Sequence, residues 1–281
     1  MTSPTTTRRD RGSRAAQDAA LGRAPWQLRV PAAIAAAFLV LPLLALLVRV
    51  PWSTLPHLLT EPIVGEALRL SLICASAAAG LSMLFGIPLA WVLAHASGPL
   101  VNLLRALVTV PLVLPPVVGG VALLAAFGRR GVLGRPLDDL FGITLPFTPI
   151  AVVLAETFVA LPFLVLTVEG AFRTLDSGYA EAAATLGASR WFTFRTVVLP
   201  LLAPAVLAGS VLAWARALGE FGATITFAGN SPGRTQTMPL AVYLAMERDP
   251  DAAIALSLIL LLVCVLVLLL LRGRWLTGAA R

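Results

Sequence analysis

The sequence contains no lysine, so all 21 of its basic residues are arginine. The phosphate-binding loop of nucleotide hydrolases and the Schiff-base enzymes both depend on a lysine, so neither chemistry is expected in this chain. Charged residues make up only 12% of the sequence, whereas soluble domains contain about 25%. The low charge indicates a membrane protein, and the missing lysine indicates that it has no ATPase site of its own.

Histidine and cysteine are scarce, with two residues of each. Cys74 and Cys264 lie inside apolar runs, where a disulfide or a metal pair would need a partner at the same depth. His57 and His95 lie at opposite ends of one run. We therefore expect structural thiols, no metal site, no cofactor in this chain and no catalytic residues. An intramembrane enzyme would need a nucleophile, a base and an electrophile in one pocket, and the sequence offers no such set.

Long apolar runs dominate the chain, in which 58% of residues are hydrophobic. Runs of about 19 residues or more can cross a hydrocarbon core of roughly 30 Å as helices. Because a segment in lipid must satisfy its own backbone hydrogen bonds, helices are favoured over strands. We predict an all-α integral membrane protein with six transmembrane helices, at residues 32–50, 67–93, 102–127, 148–171, 201–228 and 253–271.

The arginines outside these runs predict the topology, because arginine is retained preferentially on the cytoplasmic side. Most of them fall on the side of the N-terminus when both termini are placed inside. We therefore expect a multi-pass protein of the bacterial cytoplasmic membrane with both termini cytoplasmic, and no partner nucleic acid, since no basic stripe is interleaved with aromatic residues. The predicted parts are a disordered tail (1–29), a first helix with an outer loop (30–64), a transmembrane domain (65–272) and a C-terminal tail (273–281).

A mildly charged, alanine-rich segment, residues 181–200, separates the fourth and fifth runs on the predicted cytoplasmic side. Asp176 or Ser177 can cap a short helix there, and Gly187 is suited to end it in a left-handed conformation. Ser189 can cap a second helix that ends before the fifth run. A helix of two or three turns is marginal alone in water, so both a packed connector and a docking site for another protein fit this segment.

The fifth run contains two ionisable residues, Arg216 and Glu220, which are four positions apart and share a helical face with Thr224. Ionisable residues within a span are costly and usually functional. An ion pair that braces the outer end of the helix and a gate between two copies of the span both fit this pattern. In the fourth run, we expect Glu156 to be paired or protonated if it faces protein, and Glu169 to lie at the membrane interface.

Two stretches resemble known permeases. The order Glu181-Ala182-Ala183, three residues, Gly187, nine residues and Val197-x-Leu199-Pro200 resembles the EAA signature of permease subunits of ATP-binding-cassette importers, with valine in place of the usual isoleucine. A second stretch, residues 215–243, contains Gly219-Glu220-Phe221-Gly222 and resembles the molybdate importer permeases. The sulfate and thiosulfate permeases share that four-residue core.

The resemblance implies a type I ABC importer permease fold and a homodimer with the anion path between its two copies. Its implied partners are two copies of a cytoplasmic ABC ATPase, which bind ATP and Mg, an extracytoplasmic molybdate-binding protein, and membrane lipid. The resemblance implies a cytoplasmic coupling region at residues 173–200, with the ATPase-coupling residues Glu181, Ala182, Ala183, Gly187, Leu199 and Pro200. The implied residues of the translocation path or gate are Arg216, Gly219, Glu220, Phe221, Gly222, Thr224, Pro115 and Pro116.

The resemblance leaves the anion open, because selectivity in this class lies largely in the binding protein. Sulfate, thiosulfate and tungstate are alternatives to molybdate. A secondary transporter driven by an ion gradient is the alternative from another class. It would need coupling carboxylates near the middle of the membrane and would not need a cytoplasmic EAA helix.

Overall fold

The computed structural model describes residues 26–53, 55–176 and 178–278, and these ranges contain helices and connecting turns but no β-strand. The predicted all-α membrane fold is confirmed. Most of the predicted N-terminal tail, the candidate cap Ser177 and the last three residues lie outside the described ranges. The chain divides into two units, residues 1–50 and 51–281.

The helices follow one another with short connections. In chain order they are α1 (Trp26–Arg49), α2 (Leu55–Thr60), α3 (Pro62–His95), α4 (Pro99–Val113), α5 (Pro116–Phe127), α6 (Gly134–Phe141), α7 (Pro149–Thr174), α8 (Gly178–Thr185), α9 (Arg190–Thr193), α10 (Leu199–Leu218), α11 (Gly222–Phe227), α12 (Met238–Arg248) and α13 (Pro250–Gly278), with a π-helical turn (Phe194–Val198) between α9 and α10.

The first unit contributes one described helix, α1. It has 24 residues, a mean hydropathy of 2.6 in its most apolar stretch, and no buried residue. Its length and composition fit the first predicted span.

Four helices of the second unit are long and apolar enough to cross a membrane. They are α3, α7, the continuous helical run Arg190–Leu218, and the first part of α13, Pro250–Val267. The prediction of one continuous third span is corrected, because residues 102–127 form two shorter helices, α4 and α5. Leu114 adopts an extended conformation between them. Each of the two consecutive prolines, Pro115 and Pro116, disfavours a helical conformation in the residue before it.

The fifth predicted span is also divided. Helix α10 ends at Leu218, and the short helix α11 begins only at Gly222. The sequence suggested that Arg216, Glu220 and Thr224 share one face of a continuous helix. They do not, because the helix is interrupted between Leu218 and Gly222. The start of α10 also differs from the prediction. The second connector helix was expected to end before Leu199 and Pro200, but α9 continues without interruption through the π-helical turn into α10.

The core of the second unit lies where α3, α7 and α10 pack together. Small residues bring these helices close, as is usual in membrane bundles, where apolar burial offers little driving force. A Cβ atom on Gly86 would lie 2.7 Å from Leu164 Cδ2, and one on Gly209 would lie 3.2 Å from Thr167 Cβ. Both glycines thus let α7 approach closely.

At its C-terminus the chain remains helical for longer than predicted. Helix α13 continues to Gly278, whereas a tail was expected from residue 273.

Candidate functional site

The connector between α7 and α10 has well-defined helix caps. Asp176 Oδ1 accepts a hydrogen bond from the Gly178 amide at 2.9 Å, at the start of α8. At the other end, the Ala188 amide donates to Ala183 O at 3.1 Å and the Gly187 amide to Ala184 O at 3.0 Å. Gly187 has a φ of 77°. This pair of bonds around a left-handed glycine is a Schellman motif, which ends α8 as its sequence predicts.

The outward surface of α8 is not covered by the rest of the described chain. Glu181, Ala182 and Gly187 are exposed, Ala183 is half-buried, and Leu186 is 88% exposed. We call residues 178–187 the coupling segment. Its small side chains allow another surface to approach closely, and Leu186, just after the end of α8, offers an exposed apolar side chain.

A cavity of about 460 Å³ lies behind the coupling segment, on the side facing the membrane helices. Aromatic rings form much of its wall: Trp91 stacks on His95 with ring centres 4.9 Å apart, and His95 meets the edge of Phe172 at 5.6 Å. Glu181 and Ala184 contribute to the opposite wall. The coupling segment is therefore not packed closely against the ends of α3 and α7.

Leu199 and Pro200, the other two predicted coupling residues, lie in the first turn of α10. Leu199 is half-buried and Pro200 is exposed. They lie beyond α9, which Ser189 caps by accepting a hydrogen bond from the Phe192 amide at 3.3 Å. Their place is at the start of the fifth span rather than on the surface of α8.

The two divided spans meet at their breaks. A Cβ atom on Gly222 would lie 2.8 Å from Pro116 Cβ, and one on Gly120 would lie 2.9 Å from Ala223 O. The first turns of α5 and α11 are therefore in direct contact. We call this region, residues 115–120 and 216–224, the helix-break site.

An ion pair holds the break in the fifth span. Arg216 Nη1 lies 2.6 Å from Glu220 Oε2, and Glu220 Oε1 accepts a hydrogen bond from the Ala223 amide at 2.8 Å. The Glu220 side chain is 1% exposed. One carboxylate thus binds the end of α10 and the first turn of α11, which explains how the chain can break here within an apolar run. A buried carboxylate with two such partners is compensated rather than isolated.

Most of the predicted path residues lie together at this site. A cavity of about 320 Å³ is lined by Pro116, Val117, Arg216, Gly219, Glu220, Phe221 and Gly222. Thr224 does not line it and is completely buried. Pro115 lines a separate cavity with Leu114 and neighbouring residues of α4.

Two glutamates of α7, Glu156 and Glu169, are also buried. Glu169, expected at the membrane interface, has a side chain that is 6% exposed and binds Arg105 and Arg173. Arg173, four residues later, was visible as a partner from the sequence, but Arg105 was not. Glu156 is 1% exposed and faces protein, with Glu220 as a charged neighbour, and within the described ranges its Oε2 has no hydrogen-bond partner.

The described residues contain no cluster of three histidine, cysteine or acidic side chains that could hold a metal ion. Cys74 is buried and Cys264 half-buried, and both are free thiols.

A further ion pair, with an exposed arginine, joins the turn after α5 to α6. Arg129 Nε donates to Asp138 Oδ2 at 2.8 Å, and Thr144 donates to Asp138 Oδ1 at 3.1 Å. The hydrogen bond from Arg129 holds the pKa of Asp138 below its ordinary value.

Comparison with known proteins assigns the chain to a family. Residues 86–276 match the model of the binding-protein-dependent transport system inner membrane component. The molybdenum transport system permease protein ModB of Mycobacterium bovis is 52% identical over 82% of this chain and 86% of its own length. The protein of the same name from Escherichia coli K12 is 46% identical over 68% and 82%. The sulfate transport system permease protein CysT of Escherichia coli K12 is 38% identical over 74% and 76%.

The fold resembles that of solved transporters. A bacterial ABC transporter involved in the import of the acidic polysaccharide alginate matches with a TM-score of 0.70 and 17% identity, over 89% of this chain and 94% of the solved chain. At this identity the match bears on the fold alone. The family match covers both the helix-break site and the coupling segment. The chain belongs to the family of binding-protein-dependent transport system inner membrane components.

Proposed function

We propose that this chain is the permease subunit of an ATP-driven importer that moves molybdate across the cytoplasmic membrane. As a family member it is a multi-pass inner-membrane component that works with a binding protein. The observation that carries the choice of anion is the similarity to permeases named for molybdenum transport, at 52% and 46% identity against 38% for a sulfate permease.

The coupling segment supports an ATPase partner. It is a capped helix with an exposed surface of small residues, and a helix of this length needs a partner to be stable. With no lysine in the sequence, the chain has no usual nucleotide-binding loop. ATP and Mg are therefore bound by two copies of a separate ATPase, which hold the coupling segments of two copies of this chain. Leu199 and Pro200 connect each coupling segment to the span that leads to the helix-break site.

The mechanism is a shift between two conformations. Closure of the ATPases on ATP favours an outward-open state, and hydrolysis returns the permease to its inward-open state. The anion path runs between the two permease copies, and Arg216, Glu220 and the glycines around them contribute to its gate. A translocation path should bind its substrate weakly, and the pairing of Arg216 with Glu220 leaves no uncompensated arginine there to hold a dianion.

Sulfate is the second candidate, since a sulfate permease is also a relative. Molybdate, tungstate and sulfate are all tetrahedral dianions, so the permease meets similar charge and shape in each.

The test is uptake of labelled molybdate by liposomes that contain this chain with its ATPase and binding protein. We expect uptake to require ATP and both partners, and excess tungstate to compete more strongly than sulfate. Failure of tungstate to compete would argue against molybdate. Uptake by the chain alone, driven by an ion gradient, would instead identify a secondary transporter.

A further inference from the structure

A buried carboxylate joins three helices at the end of the bundle that carries the coupling segment. Glu169 Oε1 accepts hydrogen bonds from Arg173 Nη2 at 2.8 Å and from Arg105 Nε at 3.0 Å. We call these three residues the inner ion-pair cluster. Arg173 belongs to α7, as Glu169 does, whereas Arg105 belongs to α4.

Arg105 extends the cluster to a third helix. Its Nη2 donates to Leu93 O in the last turn of α3 at 2.8 Å, and its Nη1 donates to Asn102 Oδ1 at 3.2 Å. A guanidinium group offers donors in a fixed planar arrangement, so these bonds define an orientation as well as a distance. The end of α3, the start of α4 and the last turns of α7 are thereby held in one arrangement.

The cluster lies next to the coupling segment along the chain. Helix α7 ends at Thr174, little more than a turn after Glu169, and α8 begins at Gly178. The cavity behind the coupling segment limits direct packing of α8 against the membrane helices. A displacement of the coupling segment must therefore reach the bundle mainly through its two chain connections, one to α7 and one to α9 and α10.

The choice of charged groups at this position calls for an explanation other than stability. Buried ion pairs often stabilise a fold no more than apolar side chains of similar volume, and their best-supported use is to specify one arrangement. Elsewhere α3 and α7 pack through apolar residues such as Ala78 and Leu164. The cluster differs from that packing because its bonds are directional and resist rotation of the α7 end.

We propose that Glu169 is a positioning residue for energy coupling. It makes the end of α7 move as one body with α3 and α4, so that a displacement of the coupling segment moves the bundle instead of bending the last turn of α7. This inference rests on the proposed function, because it requires an ATPase that displaces the coupling segment.

The experiment uses the complete complex in liposomes and measures the number of anions transported for each ATP hydrolysed. Glu169→Gln keeps the side-chain shape and removes the charge. We expect the ATPase to co-purify as before and the number of anions transported per ATP to fall, because displacements of the coupling segment that bend the last turn of α7 no longer move the bundle. Glu169→Asp retains the charge and should recover part of the ratio. Asp138→Asn, which breaks the ion pair with Arg129, is the matched control and should leave the ratio unchanged.

The outcomes separate positioning from simple stability. If Glu169→Gln lowers transport and ATP hydrolysis in equal proportion, or changes neither, the proposal is overturned. If that variant does not assemble, Arg105→Gln decides, since it leaves the pair between Glu169 and Arg173 in place. A lower ratio then supports the proposal and an unchanged ratio overturns it. Failure of the unmodified chain to bind any ATPase would refute the proposed function instead.

Discussion

Replacing Gly187 by alanine tests the residue that ends α8 in a left-handed conformation. Gly187 has a φ of 77°, and an alanine held in the left-handed region costs about 1–2 kcal/mol. A Cβ atom there would meet nothing within 4 Å, so the substitution strains the backbone without a steric clash inside the chain. The change therefore acts on the Schellman motif at the end of α8.

A cost of one or two kcal/mol corresponds to a factor of about 5 to 30 in an equilibrium. An eight-residue helix is marginal without a partner. The strain at position 187 therefore lowers, by this factor, the fraction of permease molecules in which α8 is folded and ready to bind the ATPase. We expect the affinity of the ATPase for the Gly187→Ala permease to fall by up to that factor, with a matching loss of uptake at limiting ATPase.

The assay is titration of the ATPase against permease in nanodiscs, followed by uptake in liposomes. Gly187→Asn should retain most of the affinity, because asparagine tolerates the left-handed region. Gly170→Ala is the matched control, since a Cβ atom there also meets nothing within 4 Å and the residue lies within α7. If the Gly187→Ala permease binds the ATPase as tightly as the native chain, the left-handed end of α8 does not control binding.

Three further predictions concern stability. Gly222→Ala places a methyl group within 2.8 Å of a neighbouring proline and should lower the free energy of unfolding by about 1–3 kcal/mol. Gly80→Ala, with nothing within 4 Å of its methyl group, should leave that free energy nearly unchanged, and denaturation in detergent measures both. Arg216→Gln leaves Glu220 buried without its cation and should destabilise by about 3–5 kcal/mol, and adding Glu220→Gln should restore part of the melting temperature. The arginine partner lowers the pKa of Asp138, so that ion pair contributes stability above the ordinary aspartate pKa of about 4 and loses it as the pH falls through the lowered value. Hydrogen exchange around Asp138 should therefore be independent of pH near neutrality and rise only in strong acid.

Local chemistry was predictable from the sequence. The left-handed end at Gly187 and the cap at Ser189 depend on residues within one helical turn, so the pattern alone was sufficient. The pairing of Arg216 with Glu220 was also visible from their spacing. It is present even though the helix that suggested it ends at Leu218.

Features that depend on distant residues were not predictable in the same way. Glu169 is buried because Arg105, 64 residues earlier, lies beside it, and no local pattern connects the two. The division of the fifth span was missed for a related reason. An apolar run with two glycines is compatible with a continuous helix. The break is stabilised by a hydrogen bond that the Ala223 amide donates to the Glu220 carboxylate, which only the folded structure reveals.

The ion pair at the helix-break site has a consequence for the residence time of a transported anion. The Glu220 carboxylate already occupies the guanidinium of Arg216 and the Ala223 amide, two donors at the break that would otherwise attract an oxyanion. A passing dianion must compete with a negative charge that belongs to the protein. If the helix-break site is the gate, as proposed, this competition shortens the time for which the anion stays bound there.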